Sequence, residues 1–142
     1  MSARGPLTGV REKHAGTGSP NFGYHASGAP FNPSTNGYLT TIERIDYSND
    51  TAIASLKGPL NAARYSMGAT GNQNFGYFGG GHGSSGRATT VDRVDYSNDT
   101  ATASPKGPLS LKRREHGSTG NSDFGYSGGG YNSVPGSNNW LF

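Results

Sequence analysis

The sequence predicts an all-β protein assembled from a repeated four-stranded antiparallel unit, and three observations carry that expectation. Short motifs recur in the same order along the 142 residues. Glycine (24) and proline (8) punctuate the chain so densely that no helix of ordinary length fits between them. Between the punctuation lie short runs of β-branched and aromatic residues, which suit a pleated, half-buried surface.

The motifs define the frame. Gly-Pro-Leu stands at Gly5–Leu7, Gly58–Leu60 and Gly107–Leu109, and Asn/Asp-Phe-Gly-Tyr at Asn21–Tyr24, Asn74–Tyr77 and Asp123–Tyr126. Asp-Tyr-Ser-Asn-Asp-Thr stands at Asp46–Thr51 and Asp95–Thr100. The first two motifs advance by 53 residues and then by 49, and the third by 49, so the extra residues form a loop insertion within Ala26–Leu39. The chain therefore reads as one repeat domain, 1–142, with units at 5–57 and 58–106 and a truncated unit at 107–142 that has no Asp-Tyr-Ser segment.

The second unit shows the expected strands in order. Arg64–Thr70 is the first, closed by a turn at Gly71-Asn72. Phe75–Phe78 is the second and runs into Gly79-Gly80-Gly81, where glycine supplies positive φ and lets backbones approach. A loop through Gly86 leads to Thr89–Tyr96, the most β-branched run. After a tight turn at Ser97-Asn98-Asp99 comes Thr100–Ser104, which Pro105 and Gly107-Pro108 end. Four strands in about fifty residues match the size of a β-propeller blade. Phe22 and Tyr24, Phe75 and Tyr77, and Phe124 and Tyr126 are each two residues apart, so each pair lies on one strand face and can fill the space between blades.

Composition limits the function classes. The net charge is only +3, and the densest basic cluster, Lys112-Arg113-Arg114, runs straight into Glu115, so no nucleic-acid stripe is expected. No apolar run approaches the length of a membrane helix, and Met1–Gly5 does not read as a secretion signal. Without cysteine there are no disulfides and no thiolate chemistry. His14, His25, His82 and His116 lack metal-ligand spacing, and the Asp/Asn turns read as self-capping rather than calcium-binding. Gly79–Gly83 lacks the lysine and helix start of a phosphate loop. No cofactor, metal or catalytic residue is expected. Arg11, Arg64 and Arg113 recur in register and are expected to bridge blades through Asp46 or Asp95.

The run from Arg64 through Phe75–Gly81 and Val91–Ser97 to Gly107-Pro108-Leu109 resembles a kelch-type propeller blade. It departs in lacking a fourth-strand Trp and in reversing Tyr-Asp to Asp-Tyr. The repeated wording is also similar to tandem-repeat virion proteins of marine and cyanobacterial tailed phages. The resemblance implies about two and a half kelch-like blades, forming part of an oligomeric propeller-like assembly in a virion put together in the host cytoplasm. It implies a non-enzymatic structural protein, a capsid decoration or a tail or fibre component. The expected partners are further copies of the chain, as a trimer or dimer, and other virion proteins; folding back of Asn138–Phe142 is another way to complete the third blade. A lectin-like, host-surface glycan-binding module is the alternative. It would use Tyr38, His82, Tyr131 and Trp140 on surface loops that include Ala26–Leu39 and His82–Ala88.

Overall fold

The computed structural model describes residues 2–30 and 37–132. The first unit contains β1 (Arg11–Glu12), β2 (Ala15–Gly18), β3 (Phe22–Ala26), β4 (Ala29–Pro30), β5 (Ile42–Asp46) and β6 (Ser55–Lys57). The second contains β7 (Gly68–Gly71), β8 (Phe75–Gly79), β9 (His82–Gly83), β10 (Gly86–Arg87), β11 (Val91–Asp95) and β12 (Ser104–Lys106). The third contributes β13 (Arg113–Arg114), β14 (Gly117–Gly120), β15 (Gly125–Gly128) and β16 (Tyr131–Asn132).

Two four-stranded antiparallel sheets result, ordered β2-β3-β5-β6 and β7-β8-β11-β12, followed by the hairpin β14-β15. The registers correspond. Phe22 faces Asp46 as Phe75 faces Asp95, and Ile42 faces Lys57 as Val91 faces Lys106. The chain is thus all-β, with sheets at equivalent places in successive units and none of them closed on itself.

Three strand boundaries differ from the sequence expectation. The first strand of the unit is only β7, because Ser66 takes a left-handed φ of 55° and breaks the extended run from Arg64. The third strand ends at Asp95, where the side chain accepts from the Ser97 amide at 2.9 Å and starts a 3-10 turn at Tyr96–Asn98. The fourth strand starts at Ser104 rather than Thr100. Residues 100–103 belong to the turn: the Ala101 amide donates to Asn98 and the Ala103 amide to Pro59. Pro105 lies inside this strand rather than ending it, which an edge position permits.

One hydrophobic core crosses both sheets. Tyr24, Ala26 and Ile42 of the first unit pack with Leu60, Met67, Phe78, Val94 and Ala103 of the second. Leu60 of the second Gly-Pro-Leu is fully buried in this core.

The units are also joined backbone to backbone. Lys13, Ser66 and Glu115 occupy equivalent positions and share φ values of 56°, 55° and 55°. The Ser66 amide donates to Lys13 and the Glu115 amide to Ser66, each at 2.9 Å. Beside this staircase each second strand ends in two left-handed residues: Ser27-Gly28 (63°, 105°), Gly80-Gly81 (65°, 91°) and Gly129-Gly130 (68°, 84°). Serine holds a position in the first unit that glycine holds in the other two.

Candidate functional site

Each recurring arginine enters just before the left-handed residue and is buried. Arg64 donates to the Gly80 and Thr90 carbonyls, both at 2.8 Å, and pairs with Asp92 at 2.6 Å. Arg11 pairs with Glu43 at 2.9 Å, and the Thr8 amide and hydroxyl donate to the same carboxylate. Arg113 keeps the carbonyl contact, to Gly129 at 3.2 Å. The sequence position matching Glu43 and Asp92 in its unit is Leu141, outside the described residues.

These pairs correct the expected partners. Arg11 and Arg64 do not bridge units through Asp46 or Asp95; they bond inward, to the acid four residues before the 3-10 turn of their own unit. Asp46 and Asp95 cap that turn instead. Hydrogen bonds from the side chains of Ser48 and Ser97, then from their amides, hold both carboxyls below the usual aspartate range. Burial pushes the Asp92 carboxyl up even beside Arg64, so this pair depends on its internal hydrogen bonds.

The bridge between units is made by a residue that the sequence reading did not single out, Asp99. Its carboxylate accepts from the Tyr24 hydroxyl at 2.9 Å and from Arg44 at 2.8 Å, and Lys57 stands 3.4 Å away. All three donors belong to the first unit and Asp99 to the second. Three residues earlier, the Tyr96 ring stacks on Tyr24 with centroids 4.5 Å apart and planes 8° apart. Burial pushes the Tyr96 hydroxyl up to about 12, and burial followed by the Asp99 hydrogen bond raises that of Tyr24 as well.

The repeated aromatics grade in exposure along the chain. Tyr24 is 0% exposed under Tyr96, Tyr77 is half-buried, and Tyr126 is 59% exposed. Phe22 lies beneath Arg44 (4.3 Å) and Phe75 beneath Arg93 (4.2 Å), whereas Phe124 is largely exposed.

At the opposite end of the sheets from the 3-10 turns, the chain gathers a second group. Tyr38 and His82, singled out from the loops, meet there, with Tyr65 joining them. Tyr65 lies 4.9 Å from Tyr38 and 5.4 Å from His82 between ring centroids. Lys13 sits 5.5 Å over Tyr65, and Arg114 donates to its hydroxyl at 3.3 Å. Arg114 and Arg87 both lie over Tyr131, at 5.5 and 4.4 Å. Burial, then Arg114 and Arg87, hold the His82 imidazole below the usual range, so it is neutral at pH 7.

The repeat explains this rim. Glu12 pairs with Ala29, Tyr65 with His82, and Arg114 with Tyr131, at equivalent backbone positions of the three units. A constant ladder therefore displays side chains that differ from unit to unit. Trp140 and the middle of the Ala26–Leu39 loop lie outside the described residues.

Among comparisons with known proteins, no family model and no curated protein matches the chain. Its fold is similar to the solved structure of YjhT, with a TM-score of 0.74 at 12% sequence identity. That match covers 94% of this chain and 42% of YjhT, so the chain spans about two fifths of that protein's length.

Proposed function

We propose that the chain is a non-enzymatic structural protein of a phage virion, a capsid decoration or a tail or fibre component, built from β-propeller-type repeats. The observation that carries this reading is the contact between the first two units. Asp99, Tyr96, Tyr24, Arg44 and Lys57 are spent on stacking one repeat against the next. The buried Arg64–Asp92 and Arg11–Glu43 pairs likewise tie strands together. Among the described residues that line the cavity beside the third unit, Asp123 is the one carboxylate, with no second acid or base beside it of the kind hydrolytic chemistry uses.

On this reading the chain assembles with further copies, as a trimer or dimer, and with other virion proteins. Mass spectrometry of purified particles tests it. Hundreds of copies indicate decoration and a dozen or so a tail component, while absence from particles overturns the reading. Light scattering tests the self-assembly separately, and a folded monomer at all concentrations rejects it.

A second reading, a lectin-like module for host-surface glycan, is favoured by the rim. Tyr38, Tyr65 and Tyr131 offer half-buried aromatic faces with Arg114 between them, the kind of surface on which a sugar ring stacks. Glycan-array binding that Tyr65→Ala abolishes supports it, and an array without signal removes it.

A further inference from the structure

The geometry points to an acid-operated joint between the second and third units. Protonation of one buried histidine, His116, frees the hairpin β14-β15 from β7, while the joint between the first two units stays closed.

The two joints are built on the same backbone bonds. In the first, the Ser66 amide donates to the Lys13 carbonyl at 2.9 Å and the Gly28 amide to that of Arg64 at 3.4 Å. In the second, the Glu115 amide donates to the Ser66 carbonyl at 2.9 Å and the Gly81 amide to that of Arg113 at 2.8 Å. The inner strands follow suit, β7 packing on β2 and β14 on β7. What differs is the side chain that follows the staircase residue. It is Met67 in the second unit and His116 in the third, and each is only 7% exposed. Met67 belongs to the same core as Ala15 of the first unit, and a thioether has no proton to gain.

The His116 ring is pressed against the backbone of the second unit. A Cβ added at Gly68 would lie 2.5 Å from its Nε2, and one added at Gly80 would lie 2.8 Å from its Cε1. The imidazole thus fills the space that a side chain on either glycine would need. Neither ring nitrogen has a hydrogen-bond partner among the described residues. A neutral imidazole bears such a position at modest cost. An imidazolium would bring a full charge and two N–H donors into a slot that answers neither.

The charged surroundings act in the same direction. The second unit meets the ring through Gly68 of β7 and Gly80 after β8, and the third backs it with Gly130, none of which titrates. Arg113, three residues earlier, is the charged group whose field reaches the imidazole, and it opposes a second positive charge. Burial first and Arg113 second hold the imidazole below the usual histidine range. Opening the joint returns the ring to water and to its ordinary value of about 6.5, so the open form binds the proton more tightly than the closed one. The closed joint therefore keeps its full advantage above that value and loses it as pH falls below.

Amide hydrogen exchange on the full chain reads both joints at once, because the Glu115 and Gly81 amides report the second and the Ser66 and Gly28 amides the first. Between pH 7.5 and pH 5, protection at Glu115 and Gly81 is expected to fall relative to Ser66 and Gly28. The fall reaches at most about 30-fold, the limit for uptake of one proton by a group of ordinary histidine pKa. His116→Met, which copies Met67, and His116→Gln are each expected to hold the ratio constant across this range. His82, next to Gly81, titrates in all three proteins, so the variants separate its effect from that of His116. A ratio that does not change in the wild type overturns the proposal. So does a fall shared equally by all four amides, which is global unfolding, or a pH dependence that survives either substitution.

Discussion

The two faces of the repeat differ in completeness rather than in composition. Where the first unit meets the second, a tyrosine pair lies flat and one carboxylate holds three donors. Where the second meets the third, the tyrosine, arginine and lysine recur, but among the described residues the stacked pair and the carboxylate do not. The same residues are therefore core in one place and surface in the other. Burial of a repeat residue is a property of its neighbouring unit as much as of its own side chain.

The largest effect belongs to the pairs within each unit. Arg64→Ala leaves Asp92 buried without its counter-charge and is expected to cost about 3–5 kcal/mol, read as a drop in melting temperature. Arg64→Lys should recover only part, since an ammonium cannot reproduce the fork to Gly80, Thr90 and Asp92. A variant that melts with the wild type would show that the pair contributes nothing.

Next comes a direct contrast between two equivalent aspartates. Asp99 is 8% exposed and holds the two units together, whereas Asp50 pairs with Arg4 at an exposed site. Asp99→Asn should cost about 2 kcal/mol in chemical denaturation, the scale of hydrogen bonds to a charged group. Asp50→Asn should stay within about 0.5 kcal/mol. Equal effects would erase the distinction between the two faces.

A smaller effect is expected on acidification. Burial lowers the pKa of His25, His82 and His116, with His14, Arg114 and Arg113 respectively the leading charged contributors. A histidine whose folded pKa is depressed takes up protons in the unfolded chain first. Its contribution is therefore fully present above the ordinary histidine value of about 6.5 and is lost as pH falls below it. His116→Met, which copies Met67 at the equivalent position, should flatten the fall in melting temperature between pH 7 and pH 5. An unchanged pH slope would remove His116 from this account.

The smallest concerns Ser27, a fully buried serine at φ 63° whose hydroxyl has no partner among the described residues. The other units have glycine there. Ser27→Gly should raise stability by up to about 1 kcal/mol, strain relief being partly offset by the freer unfolded chain.

Much of this architecture was legible in the sequence, because turn residues and β-branched runs act locally. The repeat frame, the sheet order implied by it, the insertion between Ala26 and Leu39, and the one-sided Phe-Gly-Tyr rings all follow from spacing. The partners of the charged groups were less legible. Asp46 and Asp95 drew attention because they open a conspicuous motif, yet their carboxylates are used up two residues away by serine. Asp99 is the fifth residue of the same motif and reaches 75 residues back to Tyr24, a contact that no local pattern reports. A comparison of register could have found the inward pairs, since Glu43 and Asp92 are equivalent acids beside equivalent arginines. Tyr65 was missed at the rim because its counterparts Glu12 and Arg114 share no chemistry with it.

The staircase through Lys13, Ser66 and Glu115 settles which parts of this chain are free to drift. Its rungs are peptide groups, so a lysine, a serine and a glutamate serve equally well as steps. Mutation can therefore repaint the neighbouring ladder positions, Glu12/Ala29, Tyr65/His82 and Arg114/Tyr131, while the rise from one repeat to the next stays the same. A lineage of such chains could acquire new surface chemistry by single substitutions, with the architecture inherited unaltered.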